Sequence, residues 1–328
     1  MTISALTPEQ MDAIAAAKQT LAVCDRSHWG RIEVRDNDRL RFLHNQSTND
    51  FQSLQPGQGC ETVFVTSTAR TIDLATAYVT DNTVLLIVSP NRCEYLLQWL
   101  DRYIFFADRV QVVNVTPDTA LLTLIGPDSD GVIRQLGGAE LIGQPNGTHI
   151  LNEQQIRMGV GTDLALHGYN IICPVTQKTQ VWEKILSAGA TVMDETAWES
   201  LRIIQGRPVP DQELTEDYNP LEVGLWQTVS FTKGCYIGQE TIARLNTYRG
   251  VKTFLWGIKL DKPVSVPSDI YVAEEKVGKL TSLTPTPDGY FGLAYIRSKV
   301  GGVGLKVSIE NIPAEVVAVP FVSHEYPG

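Results

Sequence analysis

The chain lacks most of the marks that identify a protein at sight. In 328 residues no window approaches 18 uncharged apolar positions, so no transmembrane helix is expected. Up to Cys24 there are Glu9, Asp12 and a single Lys, without the basic n-region and apolar h-region of a secretory signal, and the segment reads as a helix of a cytoplasmic protein. Cysteine is scarce. Cys24, Cys60, Cys93, Cys173 and Cys235 are odd in number and contain no close pair, which fits neither a disulfide framework nor a CxxC metal site. The five histidines, His28, His44, His149, His167 and His324, stand singly with no HxxxH or HxH spacing, so no metal site is expected. There is no GxSxG, GxxxxGK[ST] or GxGxxG, which removes the common hydrolase, P-loop and dinucleotide motifs. Basic residues are outnumbered, 27 against 37 acidic, and the net charge of −10 argues against general affinity for nucleic acid or an anionic membrane surface.

What is present is the composition of a globular protein, 43% hydrophobic and 20% charged, with length for two or three domains. The stretch Thr7 to Cys24 opens with a helix-start pattern, and residues 37–47, 91–106, 127–136, 176–188 and 194–205 are further helix candidates. Thr62–Thr68, Ile72–Thr80, Thr83–Ser89, Val110–Thr116 and Ala120–Gly126 are β-branched runs, and the pair flanking Asp81-Asn82 reads as a hairpin. Their order is not the strict βαβα alternation of a doubly wound sheet, so an α+β antiparallel layer is expected over residues 1–248. Beyond Gly250 the helical pattern stops. Thr253–Leu260, Ile270–Leu280, Tyr290–Ile296, Leu305–Ile309 and Ala314–Val322 are strands between turns, predicting an all-β barrel or sandwich over residues 249–328.

The least ordinary segment joins the two halves: Lys233-Gly234-Cys235-Tyr236-Ile237-Gly238-Gln239-Glu240. Two glycines around a cysteine make a tight loop that a ligand can approach closely. A lysine two residues before the thiol and a helix starting at Gln239 would both favour thiolate, whereas a buried loop cysteine acting as a small hydrophobe is the bland alternative. Residues 211–222 hold five acidic side chains and no basic one, while residues 233–252 are net +3, which suits an anionic ligand or acidic partner or merely a solvated face. Weaker candidates are the polar run Asn45 to Asp50, Asp73 in an apolar strand, Gly168-Tyr169-Asn170 before a strand, and Arg202 on a helix as an exposed cation or a carboxylate clamp.

Lys-Gly-Cys-Tyr-x-Gly-Gln-Glu resembles the hallmark of the YgfZ family, folate-binding relatives of the glycine-cleavage T-protein (GcvT, aminomethyltransferase) implicated in iron–sulfur cluster assembly or repair and tRNA modification. Phe42 to Asp50, Trp198 to Pro210, Gly278 to Ser282 and Pro320-Phe321 resemble the family's other segments, so the likeness covers nearly the whole chain. It implies a three-part ring: two interleaved ferredoxin-like α+β units and a C-terminal β-barrel around a central channel that binds tetrahydrofolate or a derivative. It also implies a cytoplasmic monomer whose partners are folate and iron–sulfur proteins or cluster-assembly factors, with no membrane. On this likeness Arg202, Asn170, Tyr169, Asp73 and Asn49 bind the folate, and Cys235 with Lys233 carries the chemistry. Gly234, Tyr236, Gly238, Gln239 and Glu240 form the motif loop. Two departures bear on activity. Asn170 stands where T-proteins have a folate-binding Glu after Gly-Tyr, which removes charge assistance. Leu74 stands at the second place of their Asp-Asp pair, and a Leu cannot move a proton. The expected function is therefore a folate-binding accessory protein using Cys235. The alternatives are a tetrahydrofolate-dependent one-carbon transferase, with Asp73 or Asp50 as its carboxylate, and a non-catalytic folate-sensing scaffold.

Overall fold

In the computed structural model, which describes residues 5–326, the chain opens with α1 (Pro8–Gln19). Its start is fixed by a reciprocal cap: the Thr7 side chain accepts from Gln10 N, and the Gln10 side chain accepts from Thr7 N. Strand β1 (Ala22–Asp25) follows but joins a sheet formed much later in the chain. Next come β2 (Gly30–Arg35), α2 (Arg39–Gln46), β3 (Gly59–Val65), β4 (Thr71–Val79), β5 (Thr83–Val88), α3 (Cys93–Asp101) and β6 (Gln111–Asn114). These strands build an antiparallel sheet in the order β3-β4-β5-β2-β6, with β4 and β5 paired as the expected hairpin. Every residue of β4 is buried, because α2 and α3 cover one face of the sheet and the rest of the molecule covers the other.

The second unit comprises β7 (Thr119–Ile125), α4 (Ser129–Gln135), β8 (His149–Leu151), β9 (Arg157–Val160), β10 (Gly168–Pro174), α5 (Lys178–Ser187), β11 (Thr191–Met193) and α6 (Glu195–Gln205). Its sheet runs β11-β1-β7-β10-β9-β8, with β1 inserted between β11, which it pairs in parallel, and β7, which it pairs antiparallel. The two α+β units are thus interleaved in sequence, and with five and six strands each exceeds the four of a minimal ferredoxin-like sheet. Helix α6 is held at its start by Asp194, whose side chain accepts from Ala197 N, and at its end by Gly206 in the left-handed region. It buries Ala197, Trp198 and Leu201 against α1 and the sheet, each large side chain contributing about 1.5–3 kcal/mol.

A short α7 (Pro220–Val223) and α8 (Gln239–Thr247) lead into six strands: β12 (Thr253–Leu260), β13 (Ser268–Val272), β14 (Glu275–Thr286), β15 (Gly289–Arg297), β16 (Lys306–Ile309) and β17 (Ile312–Val317). They close as a barrel, β12-β15-β14-β13-β16-β17. The run Ile270–Leu280, read as one strand, is two: the chain reverses at Ala273, where φ is +51°, and β13 pairs back on β14. The run Ala314–Val322 likewise leaves the barrel after Val317, and its tail turns toward the centre of the molecule. The helix expected over 91–106 ends at Asp101, and the turns that follow leave Phe105 and Phe106 exposed. Among the described residues no helix is long and apolar enough to cross a membrane.

Candidate functional site

Two cavities meet at the centre of the molecule. One, about 560 Å³, is lined by Glu61 and Tyr78 from the first sheet, Gly147 and Asp163 from loops of the second unit, and Phe321 from the tail that leaves the barrel. All three parts of the fold therefore contribute wall, and the volume falls in the range of small-molecule sites. The other cavity, about 590 Å³, is lined by Arg26, Trp29, Ser89, Trp198 and Gln212. Arg26 lines the second and Asp163 the first, and their side chains are bonded at 2.6 Å with almost no solvent exposure. The expected channel is thus divided by a buried ion pair.

The groups around that pair are polar and only partly satisfied. Asp163 Oδ1 accepts from Thr76 Oγ1 at 2.5 Å, and the Asn170 amide lies within 3.4–3.5 Å of the carboxylate and 3.3 Å of the Tyr78 hydroxyl. The Arg26 guanidinium stacks 3.7 Å over Trp29, with Arg207 5.1 Å from the same ring. Arg26 Nε and Nη2 and Arg207 Nε have no hydrogen-bond partner among the described residues. Burial pushes Asp163 up, but the Arg26 and Arg207 charges outweigh it and hold the carboxyl below its usual value. Glu61 is pushed the other way, to about 7, by burial and then by the Asp163 charge. Buried donors without acceptors are costly, and of these two arginines only Arg26 lines a cavity, the second one.

The residues singled out in the sequence are distributed unevenly around this centre. Asn170 lies in it. Tyr169, its neighbour on β10, points to the opposite face by strand alternation and donates its hydroxyl to Asp130 at 2.7 Å, outside the cavity. Asn49 lines the first cavity and donates to the Glu61 carbonyl at 2.7 Å. On β4, Thr76 and Tyr78 face the cavity, and alternation places Leu74 on their face and Asp73 on the other. Asp73 is fully buried, and its oxygens accept from Ser89 N, Ser89 Oγ and Leu74 N; burial raises its pKa to about 6. Arg202 is fully buried at the joint between α6 and the barrel. All its N–H groups are engaged, by Glu199, Glu213, Gln212, Ser282 and the Arg207 carbonyl, which leaves none for a ligand carboxylate.

The motif loop sits away from the cavity walls, stitched to the end of α2. Lys233 is 8% exposed, and its Nζ donates to the carbonyls of His44, Ser47 and Asn49 at 2.5–2.7 Å while lying 4.4 Å from the Tyr236 ring. Burial pushes it down to about 7. The side chain expected to activate the thiol is therefore a cap on a helix C-terminus, with every proton committed to main-chain oxygen. Ile237 N donates to Asn45 O at 2.9 Å, Tyr236 is buried beneath the loop, and Glu240 is exposed in the first turn of α8. Cys235 is exposed. Gly238 has φ +80°, and a Cβ there would lie 3.0 Å from Ala69 Cα and Thr66 O, both main chain. Gly238→Ala should therefore lower the stability of the fold by about 1–3 kcal/mol, read as a lower urea midpoint at unchanged m-value.

The model of the GCVT N-terminal domain family matches residues 7–233. The chain belongs to the GCVT family. The GCVT-family relatives include a putative chloroplastic transferase of Arabidopsis thaliana, 45% identical over 96% of this chain and 74% of that protein. An aminomethyltransferase of Bacillus subtilis is 28% identical over 93% of this chain and 89% of that one. The crystal structure of glycine cleavage system aminomethyltransferase T from Bartonella henselae superposes with a TM-score of 0.86, over 99% of this chain and 92% of that one, at 19% identity. The GCVT fold is thus complete here, with two α+β units and a closed barrel. Within it Arg26, Glu61, Tyr78, Asp163 and Arg207 form the polar centre, and none of them stood out in the sequence. Arg26 and Asp163 are 137 residues apart and belong to different loops, so only the interleaving of β1 into the second sheet brings them together.

Proposed function

We propose that this GCVT-family chain binds a reduced folate, tetrahydrofolate or a derivative, in the first cavity. There it serves iron–sulfur cluster assembly or repair in the manner of the YgfZ family, with Cys235 as its reactive group. The observation that carries the folate part is the pair of carboxylates, Asp163 and Glu61, in the wall of that cavity beside the Tyr78 and Phe321 rings. A pterin presents adjacent N–H donors on its aminopyrimidinone edge, which suit the Asp163 and Glu61 carboxylates. Bound folate would supply a one-carbon carrier; the chain's own part is to orient it and exclude water.

Aminomethyl transfer is disfavoured because Leu74, at the second place of the Asp-Asp pair, is a fully buried core residue, and Asp73 is tied to Ser89. The second reading, tetrahydrofolate-dependent one-carbon transfer, draws on Asp163 and Glu61, the carboxylates that do face the cavity. Methylene transfer to tetrahydrofolate by the unmodified protein, lost in Asp163→Asn, would favour that reading over the first.

Titration calorimetry with tetrahydrofolate tests the binding. Because an ionised Glu61 accepts an N–H more strongly than a protonated one, affinity should rise as pH increases through about 7, and binding near that pH should release a proton. Absence of heat across pH 6–8 would sink the folate reading. In cells lacking the protein, Cys235→Ala is expected to leave iron–sulfur enzyme activities low although the purified variant folds and binds tetrahydrofolate as wild type. Full complementation by Cys235→Ala would remove the cysteine from the function.

A further inference from the structure

One residue before the exposed cysteine, the motif loop passes a histidine that is almost fully buried yet incompletely bonded. His44, in α2, is 5% exposed, and its Nδ1 is 3.0 Å from Asp50 Oδ1. That oxygen also accepts from Gln52 N at 2.9 Å and Ser53 N at 3.3 Å, which fixes the carboxylate. A carboxylate on Nδ1 selects the tautomer that carries its proton there and leaves the lone pair on Nε2. None of the described residues hydrogen-bonds Nε2. A methyl placed at Gly234 would have one neighbour within 4 Å, and that neighbour is His44 Nε2 at 3.9 Å. The ring therefore looks into open space in front of Gly234, and Cys235 is a single Cα step of about 3.8 Å further along. Both ends of the intervening segment are anchored to the same helix end as the ring, by Lys233 and by Ile237 N on Asn45 O.

We propose that His44, oriented by Asp50, is the base that takes the Cys235 thiol proton. The S–H bond breaks, its electron pair stays on sulfur as thiolate, and the proton goes to His44 Nε2; the imidazolium is then held by its Nδ1–H donated to Asp50. The charged groups facing the ring are Asp50 from the loop after α2 and Lys233 from the cysteine's own loop. Burial first and then the Lys233 charge hold His44 below its usual value, so the resting ring is neutral and its Nε2 lone pair is free to accept; Asp50 works in the opposite sense and favours the imidazolium. The arrangement assigns to the His44–Asp50 pair the activating role that the sequence suggested for Lys233. It suits a soft electrophile, an electrophilic sulfur or carbon, presented at the protein surface. It rests on the reading that Cys235 is the reactive group.

The test is the rate of alkylation by iodoacetamide between pH 5 and 10, counted at Cys235 alone by peptide mass spectrometry, for wild type, His44→Gln and Asp50→Asn. His44→Gln should slow alkylation at pH 7 about 10-fold and change the shape of the pH profile, with Asp50→Asn between. Asn at position 50 keeps an oxygen acceptor for Gln52 and Ser53, so this variant decides the matter if His44→Gln does not fold. Coincident pH profiles for wild type and the folded variants would overturn the proposal. Tetrahydrofolate binding, measured on the same samples, reports separately on the cavity, so a failed folate reading appears there and not in the alkylation profile.

Discussion

Asp163→Ala should destabilise the protein by about 3–5 kcal/mol and abolish tetrahydrofolate binding at concentrations that saturate the wild type. The cause is the charge left behind. Arg26 is 1% exposed, and without Asp163 its guanidinium keeps one hydrogen bond, to Thr123 Oγ1 at 3.3 Å. Its stacking on Trp29 keeps the guanidinium in place but does not replace a counterion. Thr76 and Asn170 lose their acceptor at the same time. Asp163→Asn should cost less, since it keeps an oxygen for Thr76 while removing the charge. A double variant, Arg26→Met with Asp163→Leu, should be more stable than Asp163→Ala, because it removes both members of the pair rather than stranding one. Urea denaturation at constant m-value checks the series. An Asp163→Ala protein as stable as wild type would mean that Arg26 escapes into the neighbouring cavity and that the pair does not divide the channel.

The same pair shows what a sequence can and cannot disclose here. Local signals were legible. Thr7-Pro8-Glu9 started α1, Asp81-Asn82 turned the β4–β5 hairpin, and the loss of helical period after Gly250 marked the barrel. Each of these is decided within a few residues of the chain. Strands β1, β2, β8, β9 and β11 were not anticipated; β8 and β11 are three residues long and β1 and β9 four, too short for a period-two signal, and they exist because a neighbouring strand satisfies them. Strand alternation also sorts neighbours that a motif treats alike. Tyr169 and Asn170 are adjacent, as are Asp73 and Leu74, yet the members of each pair lie on opposite faces of their sheet. Asp163, a carboxylate that lines the first cavity, follows Gly161-Thr162 in a loop, and the sequence marks it by nothing more than the glycine two residues earlier. Its role depends on Arg26, and that dependence is a property of the interleaved sheet. Arg202 illustrates the reverse case: residue type and helix context suggested a ligand clamp, and the neighbouring acidic run 211–222 supplied the explanation, since Glu213 from that run is its buried partner.

Lys233→Met should cost at least about 2 kcal/mol, because three carbonyls lose their donor and an acceptor kept from water costs about 1–3 kcal/mol. Met preserves most of the stem volume, so the loss reports on the ammonium rather than on packing. The Nζ tripod on His44 O, Ser47 O and Asn49 O is what ties residues 233–238 to α2, and those oxygens belong to the last turn of the helix and its exit. Releasing it should make the loop before α8 sensitive to limited proteolysis while leaving the barrel protected. Lys233→Arg should not restore stability, because a planar guanidinium cannot direct three protons at three converging oxygens as an ammonium does. The outcome separates two roles for one residue. A lysine that activated Cys235 electrostatically would, when replaced by Met, leave the denaturation midpoint unchanged and alter only thiol reactivity. A lysine that caps α2 would lower the midpoint, and Lys233→Arg would then fail although it keeps the positive charge. The burial of Lys233 and its three short bonds to oxygen argue for the second result: the motif's lysine builds the platform, and the thiol chemistry is left to other groups.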